Sequence, residues 1–200
     1  MKKPVVLFIL LFILIFSEGV AQSQNNITWR IAVVKYTGSE SQTFSPQRPS
    51  ISMKSGDEYQ IFIGSDSSCY CYVIQEISNN SSLVVSNGPI AAGKEALFPE
   101  EEVDFIIPPG TGTIRFYVVI SSLPKTNLER YCNQNVNGLL ESARHTAVID
   151  EILSIRGTLS TITEIPEKPV VMGGAVRGKT SYVYQYEGQN TYVRIITIKY

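Results

Sequence analysis

From residue 27 to residue 122 the chain is written in short runs of β-branched and aromatic residues, separated by clusters of turn formers. "ITWRIAVVKY" at 27–36 opens the series, and its side chains suit a pleated, half-buried surface, so it predicts a strand. "TGSESQTFSPQRPS" follows, and its two prolines and several serines predict a loop. In "DEYQIFIG", Tyr59, Ile61 and Ile63 alternate with Glu58, Gln60 and Phe62, a period of two that places the first three on one face of a strand. "SCYCYVIQEI" and "LVVS" read as strands on either side of the turn "NNSS", and "NGPIAAGKEALFPEEE" (87–102) reads as a long loop. "VDFII" and "TIRFYVVISS" are two more strands around the tight turn "PPGTG". Strands this short and this closely spaced predict an antiparallel sandwich or barrel.

The period then changes. Leu139, Leu140, Ala143, Ala147, Ile149, Ile152 and Leu153 recur at helical spacing, which predicts a helical segment over 126–156. Thr126 with Glu129 three places on has the form of a capping box, Gly138 is a point where the segment splits, and Gly157 is a stop. "SYVYQYEGQNTYVRIITIKY" predicts a closing β-hairpin over 181–199, with "EGQN" as its turn and Tyr182, Tyr184 and Tyr186 on one face. The expected architecture is mainly β, with sandwich-like antiparallel sheets and a helical insertion ahead of the final hairpin, in one domain over residues 22–200.

The first residues belong to a different pattern. Lys2 and Lys3 precede an unbroken apolar run of 12 residues from Val5 to Phe16, and Gly19-Val20-Ala21 supplies small residues after it. This is the form of a secretory signal peptide cleaved after Ala21. A spanning helix needs about 20 apolar residues, so the run is short for an anchor, and no second such run follows. The expectation is an exported chain, periplasmic or extracellular, with no membrane span after cleavage. Charge adds little: 17 basic and 18 acidic residues nearly cancel, which argues against the basic surface that nucleic acid requires.

Export gives the three cysteines meaning, because disulfides persist in oxidising spaces. Cys69 and Cys71 are two apart on one strand and share a face, while Cys132 falls in the first helical stretch. One bridge, from Cys132 to Cys69 or Cys71, leaves one thiol over; three buried thiols are the alternative. A metal site from these thiols and His145, the only histidine, has acceptable ligand types but not the usual ligand spacing. His145 is also the only imidazole that could serve a serine nucleophile, and no nucleophile motif stands near it. "PEEEVD" gathers Glu100, Glu101, Glu102 and Asp104 without the Gly or Asn spacing of calcium loops, and reads as a solvated loop that guards a strand against edge pairing.

"GGAVRGKT" at 173–180 fits the phosphate-loop pattern letter for letter. Its context does not fit. A phosphate loop needs a following helix whose N-terminus faces the phosphates, and here a period-two tyrosine pattern follows instead. Gly173, Gly174 and Gly178 then form a connection into the last strands, with Lys179 and Thr180 as solvated residues, and no nucleotide is expected.

Within this pattern, Gly56-Asp57 opens a strand, Tyr70, Tyr72 and Val73 form Tyr-x-Tyr-Val, and Phe98-Pro99, Pro108-Pro109-Gly110 and Ser121-Ser122-Leu123-Pro124 follow in order. In these motifs residues 50–125 resemble the bacterial domain-of-unknown-function family 4384, and "TYVRIITI" resembles the tails of its exported relatives. The resemblance implies a compact β-rich domain of a kind often appended to caspase-like peptidases or protein kinases. No such enzyme accompanies it in this chain, the 87–102 connection is longer than the family's, and the family brings no catalytic residues.

Together these features favour a non-enzymatic interaction module of the bacterial cell envelope, without cofactor, whose partner is an envelope protein or a glycan. Two other readings stand beside it. One is a thiol/disulfide or metal-binding protein using Cys69, Cys71 and Cys132. The other is a glycan binder that stacks sugars on Tyr182, Tyr184 and Tyr186.

Overall fold

The computed structural model describes residues 26–38, 40–78, 81–99, 103–158, 170–171 and 182–200. The first strand, β1 (Asn26–Thr37), sets the arrangement. Its alternation sends Ile27, Trp29, Ile31 and Val33 to one face, all of them buried. β2 (Glu40–Phe44) folds back on its second half, and β3 (Ile51–Ser52) is a short strand farther on. β4 (Glu58–Ser65) pairs antiparallel with β1 along its length and turns Tyr59, Ile61 and Ile63 to the same side. β5 (Cys69–Ser78), β6 (Ser81–Ile90) and β7 (Glu95–Phe98) follow, then β8 (Phe105–Ile106) and β9 (Thr113–Ser121). Helix α1 (Thr126–Cys132), strand β10 (Leu139–Glu141) and helix α2 (Ala143–Thr158) come next, and β11 (Val170–Val171), β12 (Tyr182–Gln189) and β13 (Thr191–Lys199) close the described chain.

The strands form two sheets. One runs β11-β12-β1-β4-β7, with β2 beside β1 and β8 beside β4; the other runs β10-β6-β5-β9-β13-β3. All pairings are antiparallel except β13 with β3. Ile27, Trp29, Ile31, Tyr59 and Ile63 of the first sheet meet Cys71, Val73, Phe116, Val118, Ile120 and Ile196 of the second in one inter-sheet core. The mainly β, sandwich-like expectation therefore holds. Each fully buried Ile or Val contributes about 1.5–3 kcal/mol relative to exposure.

The second sheet is apolar on both faces. Tyr72, Ile74, Tyr117, Val119 and Val193 point away from the sandwich and meet Leu128 and Cys132 of α1, Leu140, and Val148 and Ile152 of α2. The helices thus form a third layer. The outer face of the first sheet also carries a buried apolar row: Ala32 lies opposite Phe62, Phe62 lies opposite Leu97, and Val34, Tyr36 and Val183 join them.

Several expectations are corrected. The helical segment at 126–156 splits into two helices near Gly138 as expected, but Leu139 and Leu140, counted in the helical repeat, form β10 between them; Gly138, at φ +83°, supports the turn that brings Leu139 back to Leu83. Thr126 does not cap α1. Lys125 holds that position without a side-chain cap, its N–H donates to Tyr72 Oη (2.8 Å), and Glu129 accepts from Tyr72 (3.2 Å). A cross-element tyrosine has replaced the local box. The long loop expected at 87–102 contains strand at two places: β6 runs to Ile90, and β7 (Glu95–Phe98) lies against β4. The loop expected after Tyr36 contains β2.

The closing hairpin is not a hairpin. β12 pairs with β1 in the first sheet, while β13 pairs with β9 in the second. The chain crosses between sheets at Asn190, which has φ +57° and whose carbonyl accepts from Ser122 N (2.8 Å). At Gly188 the crossing packs against Trp29 so closely that a Cβ would stand 2.5 Å from the indole.

Candidate functional site

The thiols are separated by a sheet. Cys69 and Cys71 face the inter-sheet core with Val73, whereas Cys132 faces the helix layer with Tyr72 and Ile74. The β5 backbone stands between them, so the expected bridge from Cys132 to Cys69 or Cys71 does not form, and all three are free and buried. Burial pushes each thiol up: Cys132 to about 12, and Cys71 farther, with Cys69 beside it adding to the effect. Cys69 is raised by burial against an opposing hydrogen bond with Ser65. The thiolate, which is the nucleophile and the metal ligand, is therefore disfavoured at all three positions. Among the described residues no group of three or more His, Cys, Asp or Glu side chains gathers as a metal site.

His145 sits in the first turn of α2, and the structure gives it a partner that no local spacing announces. Ser82 Oγ of β6 lies 2.7 Å from its Nδ1. Ser82 is fully buried and His145 is 6% exposed. Glu76 lies opposite Ser82 on β5 and accepts from Tyr117 Oη (3.1 Å) and Arg115 Nη1 (3.2 Å). Burial and the Glu76 carboxylate push the Tyr117 phenol up to about 12. In residue types this resembles a nucleophile with a base. In geometry it is a satisfied polar pair beneath a helix, since a strand serine at zero exposure presents no oxygen to a substrate. The pair fixes the start of α2 on the second sheet.

The tyrosine row is divided. Tyr186 is fully buried and stacks against Trp29 with ring centroids 6.5 Å apart, and Tyr184 is half-buried against the same core. These two rings face inward because β12 packs over the second sheet, so they do not form the expected exposed stacking surface. The side chain of Tyr182 lies outside the described residues, as do Gly173 to Thr180, Glu100 to Glu102, and residues 1–25 with the leader and Ala21. Asp104 is described and adjoins β8. No helix among the described residues is long and apolar enough to cross a membrane.

One ion pair is built into the sandwich end. Lys35 Nζ lies 2.6 Å from Asp57 Oδ2, which also accepts from Lys54 N at 2.7 Å. Burial acts to raise the Asp57 carboxyl, but the bonds from Lys35 and Lys54 outweigh it, and the group lies below its ordinary value of 3.8. Its position after Gly56, at φ +82°, explains why Gly-Asp opens β4.

Comparison with protein-family models, with curated proteins and with solved structures returned no match to this chain.

Proposed function

We propose that the protein is an exported, non-enzymatic interaction module of the bacterial cell envelope, as its leader-like N-terminus and its resemblance to domain-of-unknown-function family 4384 suggest. One observation carries the reading. The side chains best suited to chemistry, Cys69, Cys71, Cys132, Ser82 and His145, are all buried in packing layers. A partner therefore meets strands, edges and loops. Such surfaces recognise other chains through shape and backbone pairing rather than through a reactive group.

The sharpest rival is hydrolysis by Ser82 and His145, and an activated ester tests it. Purified protein is expected to release p-nitrophenol from p-nitrophenyl acetate no faster than the Ser82→Ala variant. Turnover above that background, lost on Ser82→Ala and on His145→Ala alike, would overturn the non-enzymatic reading.

A further inference from the structure

Among the described residues, Arg30, Lys35 and Arg194 are the half-buried cations carried on strands. Two of them are matched by acids. Arg30 Nη2 lies 2.6 Å from Asp66 Oδ1, and Lys35 Nζ lies 2.6 Å from Asp57 Oδ2. Arg194 of β13 has no carboxylate partner among the described residues. Its Nε donates to the Pro46 carbonyl at 2.7 Å, which leaves Nη1 and Nη2 without a described acceptor. Neither of these nitrogens is sealed from solvent, so both are open to a ligand.

A second guanidinium stands close by. Pro46 belongs to a turn in which Arg48 N donates to Ser45 O at 3.2 Å, so Arg48 is two residues from the carbonyl that holds Arg194. Arg48 is exposed, and its guanidinium carbon lies 5.7 Å from the centre of the Phe44 ring. Phe44 lies opposite Val33 of β1, and Tyr184 lies opposite Ile31, two residues along the same strand. The two rings are therefore neighbours on one flank, Phe44 buried and Tyr184 half-buried against the inter-sheet core. The acids of the flanking strands lie elsewhere. Glu40 is opposite Thr37 at the far end of β2, and Glu187 of β12 takes the alternate face from Tyr184 and Tyr186.

Charge on these described side chains identifies the occupant. Water satisfies a fully exposed guanidinium, but a half-buried one has lost part of that water and gains most from an oxyanion. The planar fork donates two bonds to one carboxylate, and stacking on Phe44 holds the plane of Arg48 while leaving its edge free. A second copy of the chain applied by the same flank would set arginine against arginine. Arg and Tyr are also the residue types that concentrate binding energy at protein interfaces. We propose that the turn at 45–48, together with Arg194 and Tyr184, is a docking surface for an acidic segment of a partner protein. Arg48 and Arg194 take its carboxylates, and its apolar part rests on Tyr184. This inference rests on the reading of the protein as an interaction module and names its surface.

The test uses the purified protein and a short fluorescein-labelled peptide of glutamate and leucine, together with its counterpart carrying lysine for glutamate. Fluorescence anisotropy is expected to show binding of the acidic peptide that weakens as salt rises, and binding of the basic one weaker by about tenfold or more. Arg48→Gln and Arg194→Gln should each weaken binding of the acidic peptide about tenfold. Lys94→Gln, which removes an exposed cation from the turn between β6 and β7 on the opposite flank, should leave it unchanged. If Arg194→Gln unfolds with the loss of its bond to Pro46, the exposed Arg48→Gln decides. No binding at millimolar acidic peptide, equal binding of the two peptides, or binding that survives both arginine substitutions overturns the proposal. Inorganic phosphate held by Arg48 and Arg194 without any binding of the peptide marks a small-anion site and overturns it as well. A natural partner still captured by a folded Arg48→Gln variant sinks this surface and leaves the interaction reading standing, whereas absence of any partner sinks the reading itself.

Discussion

Asp57 is held by two donors from different parts of the chain, Lys35 on β1 and Lys54 just ahead of the turn. Because its folded value is lowered, its stabilisation is complete above the ordinary carboxylate value of 3.8 and is lost as pH falls through the depressed value. Asp57→Asn is expected to cost about 0.5–1.5 kcal/mol in urea unfolding at pH 7 and to show a smaller cost at pH 3. A cost that stays the same at both values would contradict this account of the pair. The thiols give a second test at this scale. A thiol reagent should find none of the three cysteines quickly reactive in the native protein and all three reactive after unfolding without reductant. Finding only one after unfolding would mean that a bridge exists. The sequence announces that Cys69 and Cys71 share a face, through their spacing. It cannot announce that Cys132 lies across the sheet from them, because that depends on which face α1 covers.

At the scale of elements, local pattern identified most strands but not their partners. Tyr59, Ile61 and Ile63 face the core as their alternation requires, yet the opposite face of β4 is also covered, with Gln60 and Phe62 at 1% exposure. Alternation reports a pleat, not which faces are covered. "EGQN" has turn chemistry whether the next strand pairs with its neighbour or leaves for the other sheet. The difference lies in long-range pairing, with β1 taking β12 and β9 taking β13. The crossing makes a specific demand at Gly188, where Gly188→Ala is expected to cost about 1–3 kcal/mol by pushing on Trp29. A thermal midpoint unchanged by that substitution would contradict the close approach. Likewise the apparent capping box at Thr126 and Glu129 was a local signal overridden by a tertiary one, since Tyr72 takes both the Lys125 N–H and the Glu129 carboxylate. Tyr72→Phe should therefore cost about 1 kcal/mol and loosen α1, read as faster amide exchange over 126–132.

The whole molecule is a sandwich with a helical layer on one sheet, and its layering decides what a partner can touch. The helices cover the second sheet, and residues 45–50 close one flank. Of the candidate chemistry, the residue types were legible but the burial was not: His145 and the cysteines are conspicuous as letters, and only the packing shows them enclosed. The measurement that bears most directly on the account is affinity capture from a bacterial envelope extract with the purified protein as bait and a heat-unfolded sample as control. The account expects one protein partner retained in stoichiometric amount by the folded bait alone. Retention of glycan fragments without protein, or of nothing beyond what the unfolded control holds, would contradict it.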